Sequence, residues 1–348
     1  QKELVDCYKQ QGDCYFWGAG IREDKQEAVK WYRLAADQGD AEAQRRLGYF
    51  YFWGEGIRED KQEAVKWYRL AADQGDAEAQ KELVDCYKQQ GDCYFWGEGI
   101  REDKQEAVKW YRLAAEQGDA EAQRILGACY YFGTGIREDK QEAVKWYRLA
   151  AEQKNSEARW RLGDCYFWGE GIREDKREAV KWYRLAAEQG NAKAQWRLGA
   201  CYYFGTGIRE DKQEAVKWFR LAAEQKNAEA QYSLGRCYYF GTGIREDKQE
   251  AVKWFRLAAE QEDAEAQWML GDCYFFGHGV GKNKREAVNW YFLSAKKGNA
   301  EAQRRLGACF YFGHGVAKNR QEAIRWYRLA AEQGNSVAIS MLKKLGVM

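Results

Sequence analysis

An all-α fold, a solenoid of stacked antiparallel helix pairs, is what this sequence predicts, and three observations carry the prediction. A tryptophan-centred motif recurs at a fixed period, each period shows the phasing of two amphipathic helices, and the 348-residue chain has no proline to interrupt them. The motif, EAVKWYRLAAEQG in its commonest form, contains Trp31, Trp67, Trp110, Trp146, Trp182, Trp218, Trp254, Trp290 and Trp326, spaced by 36 residues except for 43 between Trp67 and Trp110. A period of this size marks a solenoid or a propeller, and the helical phasing chooses the solenoid.

Helix A, the first half of each unit, reads AEAQRRLGACYYFG at its most regular. On a 100° wheel Ala43, Leu47 and Tyr51 share one quadrant with Phe50 and Gly48 on its flanks, which predicts the buried seam and a close approach at Gly48. A GEGI or GTGI turn follows. Helix B places Ala28, Val29, Tyr32, Ala35 and Ala36 on one stripe, with Lys30, Arg33 and Asp37 away from it.

Asp24 with Glu27 forms an Asp-type capping box before helix B, repeated as Asp247 with Glu250, Asn283 with Glu286 and Asn319 with Glu322. Gly39 supplies a left-handed residue after helix B, and Asp40 caps the next helix. Where two units read Lys154-Asn155 and Lys226-Asn227, asparagine is expected to take the left-handed position. Without a linker or a shift in composition, residues 1–348 read as one domain. Nine pairs are predicted at about 1–39, 40–75, 76–118, 119–154, 155–190, 191–226, 227–262, 263–298 and 299–334, with a capping helix over 336–345.

Charge excludes some functions. Lys and Arg total 56 against 54 Asp and Glu, interspersed, which argues against a nucleic-acid or anionic-membrane binder. No apolar run approaches the ~18 residues of a membrane helix. Residue 1 falls inside a repeating unit with no initiator Met, so a trimmed start is expected, and a targeting segment ahead of it would be invisible.

The residues Ala194 to Gly207 and Ala215 to Ala223 carry A-x-A-x-x-x-L-G-x-x-Y-x-x-G-x-G followed by A-x-x-W-Y-x-x-A-A, with Phe219 at the Tyr position of this copy. On this pattern the chain resembles the Sel-one-like repeat (SLR) family, relatives of the tetratricopeptide repeats, along essentially its whole length. The family's V-P-x-D loop is Ile-Arg-Glu-Asp here. The resemblance implies a right-handed superhelix with helices A on the concave face, scaffold or adaptor work, and no shared chemistry. Cysteine-rich bacterial proteins similar to this family pair cysteines across C-x7-C, but Ala36 and Gln44 occupy those positions here.

Ten cysteines fall mostly one per unit, at Cys129, Cys165, Cys201, Cys237, Cys273 and Cys309, with doublets Cys7/Cys14 and Cys86/Cys93. Phe50 replaces the thiol in the second unit, so the slot asks for apolar volume, and equivalent positions in stacked repeats lie about 8–10 Å apart, beyond disulfide reach. Unpaired core thiols are the expectation, and they favour a cytoplasmic setting while leaving secretion open. The segment KQQGDCY adds seven residues, nearly two helical turns, so a longer unbroken third helix A is expected with both cysteines of the doublet inward. Residues 1–36 match 80–115 except Ala19 against Glu98, which fits a duplicated 79-residue block; a docking ridge, or a kink at Gly91, is the alternative.

Candidate ligand contacts lie opposite the seam. The positions of Arg45, Tyr49 and Phe52 recur as Trp160, Trp196, Tyr232 and Trp268, as Asp164, Arg236 and Asp272, and as an always aromatic third row. That row is Tyr131, Phe167, Tyr203, Tyr239, Phe275 and Tyr311. Exposed aromatics concentrate binding energy, so these rows predict a groove for an extended peptide, a partner helix or a glycan chain, centred on the fourth to eighth units. Sideways packing between repeats is the competing reading. A non-enzymatic protein-binding scaffold follows, with a self-assembling structural rod or a glycan- or peptidoglycan-binding module as alternatives, and with no nucleic acid, membrane, cofactor or metal. His278 and His314 sit in successive GHGV loops, too far apart to share a metal and without a paired nucleophile.

Overall fold

The computed structural model describes residues 2–347, and the described chain is helical throughout its regular structure. It falls into two compact units, the first running to Ala158 and taking in Glu170–Arg173, the second comprising Arg159–Gly169 and the chain from Glu174 onward. The first unit contains α1 (Lys2–Trp17), α2 (Lys25–Ala36), α3 (Ala41–Trp53), α4 (Lys61–Asp73), α5 (Ala77–Trp96), α6 (Lys104–Glu116), α7 (Ala120–Phe132) and α8 (Lys140–Glu152). Next come α9 (Ser156–Trp168), α10 (Lys176–Ala187), α11 (Ala192–Phe204), α12 (Lys212–Glu224), α13 (Ala228–Phe240) and α14 (Lys248–Glu260). The chain closes with α15 (Ala264–Phe276), α16 (Lys284–Lys296), α17 (Ala300–Phe312), α18 (Arg320–Glu332) and α19 (Ser336–Lys344). Odd-numbered helices from α1 to α17 are helices A, even-numbered ones helices B, α19 follows the last pair, and consecutive helices pack as the pairs of an α-solenoid.

Small residues set how closely each pair approaches. A Cβ at Gly48 would meet the Tyr68 ring at 2.8 Å, and one at Gly199 would meet Phe219 at 2.7 Å. Only glycine admits the ring there. The predicted stripe of helix B, Ala28, Val29, Tyr32, Ala35 and Ala36, is buried throughout. On helix A the buried residues are Ala43, Gln44, Leu47, Gly48 and Phe50, together with Phe52, expected on the opposite, outward face, while Tyr51 is only half-buried.

The buried glutamine is a feature that polarity hides from a sequence pattern. Gln44 Nε2 donates to the Ala36 carbonyl at 3.1 Å, and its Oε1 accepts from Gln74 Nε2 at 2.7 Å. Each clasp joins helix A to the helices B on either side, and each such bond is worth about 1 kcal/mol net. A second tie runs from Arg69 to the hydroxyl of Tyr87 at 2.7 Å. The N-caps hold, Asp60 Oδ1 accepting from the Glu63 amide at 2.9 Å, but the expected boxes do not close: the Asp60 amide donates to the Tyr51 carbonyl at 2.8 Å and Glu63 pairs with Lys66 at 2.7 Å, while Gly54 takes the left-handed conformation after α3.

Two further details differ from expectation. Lysine, not asparagine, is left-handed at the irregular turns, with φ of 66° at Lys154 and 65° at Lys226, and Glu262 does the same at 67°. The neighbouring Asn155 and Asn227 are instead N-caps, accepting from Ala158 and Ala230 amides at 2.9 and 2.8 Å. Cap chemistry fixes the asparagine, so the strain moves one residue back.

The second concerns the doublets: Cys86 is buried, but Cys14 and Cys93 are half-buried and Cys7 is exposed. α5 nevertheless runs unbroken for 20 residues against 13 in α7. Gly91 lies inside this continuous helix as expected, and a Cβ there would meet the Tyr111 ring at 2.5 Å, the same close approach as at Gly48.

Candidate functional site

The predicted contact residues of the second unit separate by exposure. Trp160 is 8% exposed and packs in the core with Val180 and Tyr183, so it offers no open indole. This corrects the expectation of a water-facing side chain there: the Arg161 and Lys193 cations cover its ring at 4.2 and 4.6 Å. Trp196, Tyr232 and Trp268 are half-buried, and the Trp196 indole N–H donates to Ser233 Oγ of the next helix A at 3.2 Å. That bond bridges neighbouring helices A, whereas Tyr232 rests on the Phe255 ring of helix B with centroids 6.0 Å apart.

In the third row Phe167, Tyr203, Tyr239 and Phe275 are half-buried, each resting on the helix-B ring of its own pair with centroids 6.1 to 6.3 Å apart. Tyr311 is half-buried at the edge of the last core cluster, and in the first unit Tyr131 packs on Tyr147 and donates its hydroxyl to Glu170. Lys140 reinforces Glu170 at 2.8 Å, and together these bonds hold its carboxyl below the usual range.

Asp164 and Asp272 act as internal braces. Asp164 accepts from the Tyr183 hydroxyl at 2.5 Å and pairs with Arg197 at 3.1 Å; Asp272 accepts from Tyr291 at 2.5 Å and pairs with Arg305 at 3.0 Å. Burial raises the Asp272 carboxyl against the lowering effect of these partners. Arg236 is the exposed member of the predicted set, over the rings of Tyr232 and Phe240 at 5.7 and 6.0 Å.

The aromatic row that faces water lies one residue beyond the predicted third row. Trp168, Phe204, Phe240, Phe276 and Phe312 close their helices A at 44% to 68% exposure, and Trp17, Trp53, Trp96 and Phe132 do so in the first unit. The sequence carried the signal, since every helix A ends in Trp or Phe directly before its glycine. In the second unit a cavity of about 120 Å3 opens beside this row, lined by Trp196, Tyr203, Phe204, Phe219, Ser233 and Arg236 among others.

The core thiols of the second unit are shielded from water. Burial pushes the Cys201 and Cys237 thiols up to about 11 and the Cys273 and Cys309 thiols up to about 12, so they stay protonated at neutral pH. The Tyr239 hydroxyl lies 2.6 Å from His278 Nδ1, with the imidazole stacked on Phe276; His314 stacks on Phe312, and partial burial lowers its pKa. Among the described residues no group of three or more His, Cys, Asp or Glu side chains is placed to hold a metal ion, and no helix is long and apolar enough to cross a membrane.

These features define an α-solenoid of repeated helix pairs whose end-of-helix aromatics face outward. A family model described as Sel1 repeat matches residues 12–40, 41–76, 91–119, 120–155, 156–191, 192–227, 228–263, 264–299 and 300–335. The chain belongs to the Sel1 repeat family, whose members act in protein–protein interaction and are typically non-catalytic scaffolds. Among solved structures it is similar to a protective antigen present in uropathogenic Escherichia coli strains that displays an SLR fold. That likeness has 36% identity over 99% of this chain and 72% of the antigen, with a TM-score of 0.81. It is also similar to a Sel1 repeat protein from Oxalobacter formigenes, 31% identical over 91% of this chain and 90% of that one, with a TM-score of 0.67. No curated protein matches the chain.

Proposed function

We propose that the chain is a non-enzymatic scaffold that takes an extended peptide or a partner helix on the aromatic face of helices A in the second unit. The observation that supports this most is the exposed row Phe204, Phe240, Phe276 and Phe312, one ring per pair. Packed helices lie about 8–10 Å apart, and an extended peptide in the polyproline-II conformation advances about 9 Å per three-residue turn, so successive rings match every third side chain along one face of it. Trp196, Tyr232 and Trp268 form the half-buried floor behind the row, and Arg236 supplies an exposed cation. Trp160 belongs to the core and takes no part.

Selection of a displayed random-peptide library against the chain tests this reading. Enriched peptides are expected to lose roughly tenfold or more in affinity when Phe240 and Phe276 are both changed to Ala, the loss typical of truncated hot-spot aromatics. Equal binding to a natively helical double variant, or no enrichment, would count against the proposal.

A further inference from the structure

The seven-residue insertion builds a cavity. In the first unit a hollow of about 830 Å3 opens along helices A, bounded by the exposed Trp53 at the end of α3, the long helix α5, and Arg124 and the exposed Phe132 on α7. Glu82, Asp85, Gln89, Asp92 and Trp96 all line it from α5, at offsets of 3, 7, 10 and 14 from the first, which is one continuous face of a helix. Gln89 and Asp92 lie within the inserted stretch. The insertion therefore lengthens the wall.

Charge decides what the hollow accepts. Four carboxylates line it, Glu82, Asp85, Asp92 and Glu121, against two cations, Lys88 and Arg124. Both cations are committed: Lys88 Nζ is 3.0 Å from Asp85 and 3.0 Å from Asp119, and Arg124 Nε donates to both Glu121 oxygens at 3.0 Å. Asp92 accepts the Tyr111 hydroxyl at 2.7 Å. Glu82 has no ion pair or hydrogen bond among the described residues, and burial followed by the neighbouring Asp85 raises its pKa. An unpaired carboxylate in a negatively charged hollow walled by Trp53 and Trp96 has the two components that bind a flat cation, a counter-charge and aromatic faces.

We propose that this cavity receives an arginine or lysine side chain of an extended partner peptide, its cation against Glu82 and its stem along Trp53 and Trp96. Arginine is favoured, because a planar guanidinium stacks on an indole while pairing with a carboxylate. The volume also accommodates the residues flanking that side chain. This site shares with the second-unit reading only that the partner is a peptide, and none of its residues belongs to that face.

The test uses the full chain labelled with 5-fluorotryptophan, the Trp53 and Trp96 resonances being assigned from W53F and W96F. It is titrated with blocked Ala-Ala-Arg-Ala-Ala and with peptides bearing Lys, Leu or Glu at the centre. The Arg peptide is expected to shift both resonances, Lys more weakly, Leu and Glu not at all. E82Q is expected to weaken the Arg peptide roughly tenfold, as truncating one partner of a close charge pair does. F240A, in the second unit, is expected to leave that titration unchanged, so either site can fail without the other. Failure of the Arg peptide to bind, equal shifts from the Leu peptide, or unchanged affinity in natively helical E82Q would overturn the proposal.

Discussion

At one position of helix A, nine residues before the glycine that ends it, the first unit carries Arg45, Lys88 and Arg124, whereas the second carries Trp160, Trp196, Tyr232 and Trp268 before reverting to Arg304. In the first unit the cation reaches sideways to acids: Arg45 pairs with Asp76 at 3.3 Å and Lys88 with Asp119 at 3.0 Å. In the second a ring fills the joint, and the hollows differ accordingly, about 830 Å3 against about 120 Å3. The backbones of α7 and α11 are alike, 13 residues each with a left-handed glycine after them. The side chain at a single outward position, together with the added turns of α5, separates an open acidic hollow from a sealed aromatic floor.

The largest effect expected from this contrast is on stability. Trp160→Ala should cost about 3–5 kcal/mol, the usual penalty for emptying a buried aromatic site. Arg124→Ala removes a half-buried ion pair and should cost about 0.5–1 kcal/mol. Urea unfolding of the two variants measures both, and similar losses would mean that the filled and open joints are not physically different.

Alkaline titration sharpens the same comparison. A thiol raised from its ordinary 9.0 to about 11 at Cys129 and Cys201, or about 12 at Cys273 and Cys309, keeps its proton longer in the fold than in the unfolded chain. Its contribution is complete below pH 9 and is lost between 9 and its folded value, at up to ~1.4 kcal/mol per pH unit for each thiol. Unfolding midpoints should be flat from pH 7 to 8.5 and then fall, more steeply in the second unit, with its four such thiols, than in the first. Replacing Cys201 and Cys237 by Ala should flatten that fall.

A smaller test concerns the turns. Gly118 in the first unit and Lys226 in the second occupy equivalent left-handed positions, with φ of 90° and 65°. Lys226→Gly should stabilise by about 1 kcal/mol and Gly118→Ala should destabilise by a similar amount, because a Cβ is penalised in that conformation. Thermal midpoints moving in the same direction for both would refute the assignment of strain.

Much of the architecture was legible because it depends on local rules. Period, capping Asp, the Ala stripe of helix B and Gly48 each have one physical meaning along a helix, and the structure places them accordingly. The site was harder to read, because exposure depends on the neighbouring pair. A wheel drawn for α9 alone cannot show that Val180 and Tyr183 cover Trp160, nor that Asp164 is spent on Tyr183. Polarity gives no sign that Gln44 is buried, where its amide finds partners on two helices B, and apolarity gives no sign that the Trp and Phe before each helix-ending glycine face water. Asn227 was misread for a related reason, since it serves equally well as a cap or in a left-handed turn and only the bonded amide decides.

The glutamine clasp has an evolutionary corollary. Gln123 with Gln153 in one unit and Gln195 with Gln225 in the other join by the same atoms at 2.9 and 2.8 Å, so the rungs that carry this pair share one fitting. A copied rung can be slotted into such a ladder without inventing a new coupling, and loss of one leaves matching ends to rejoin.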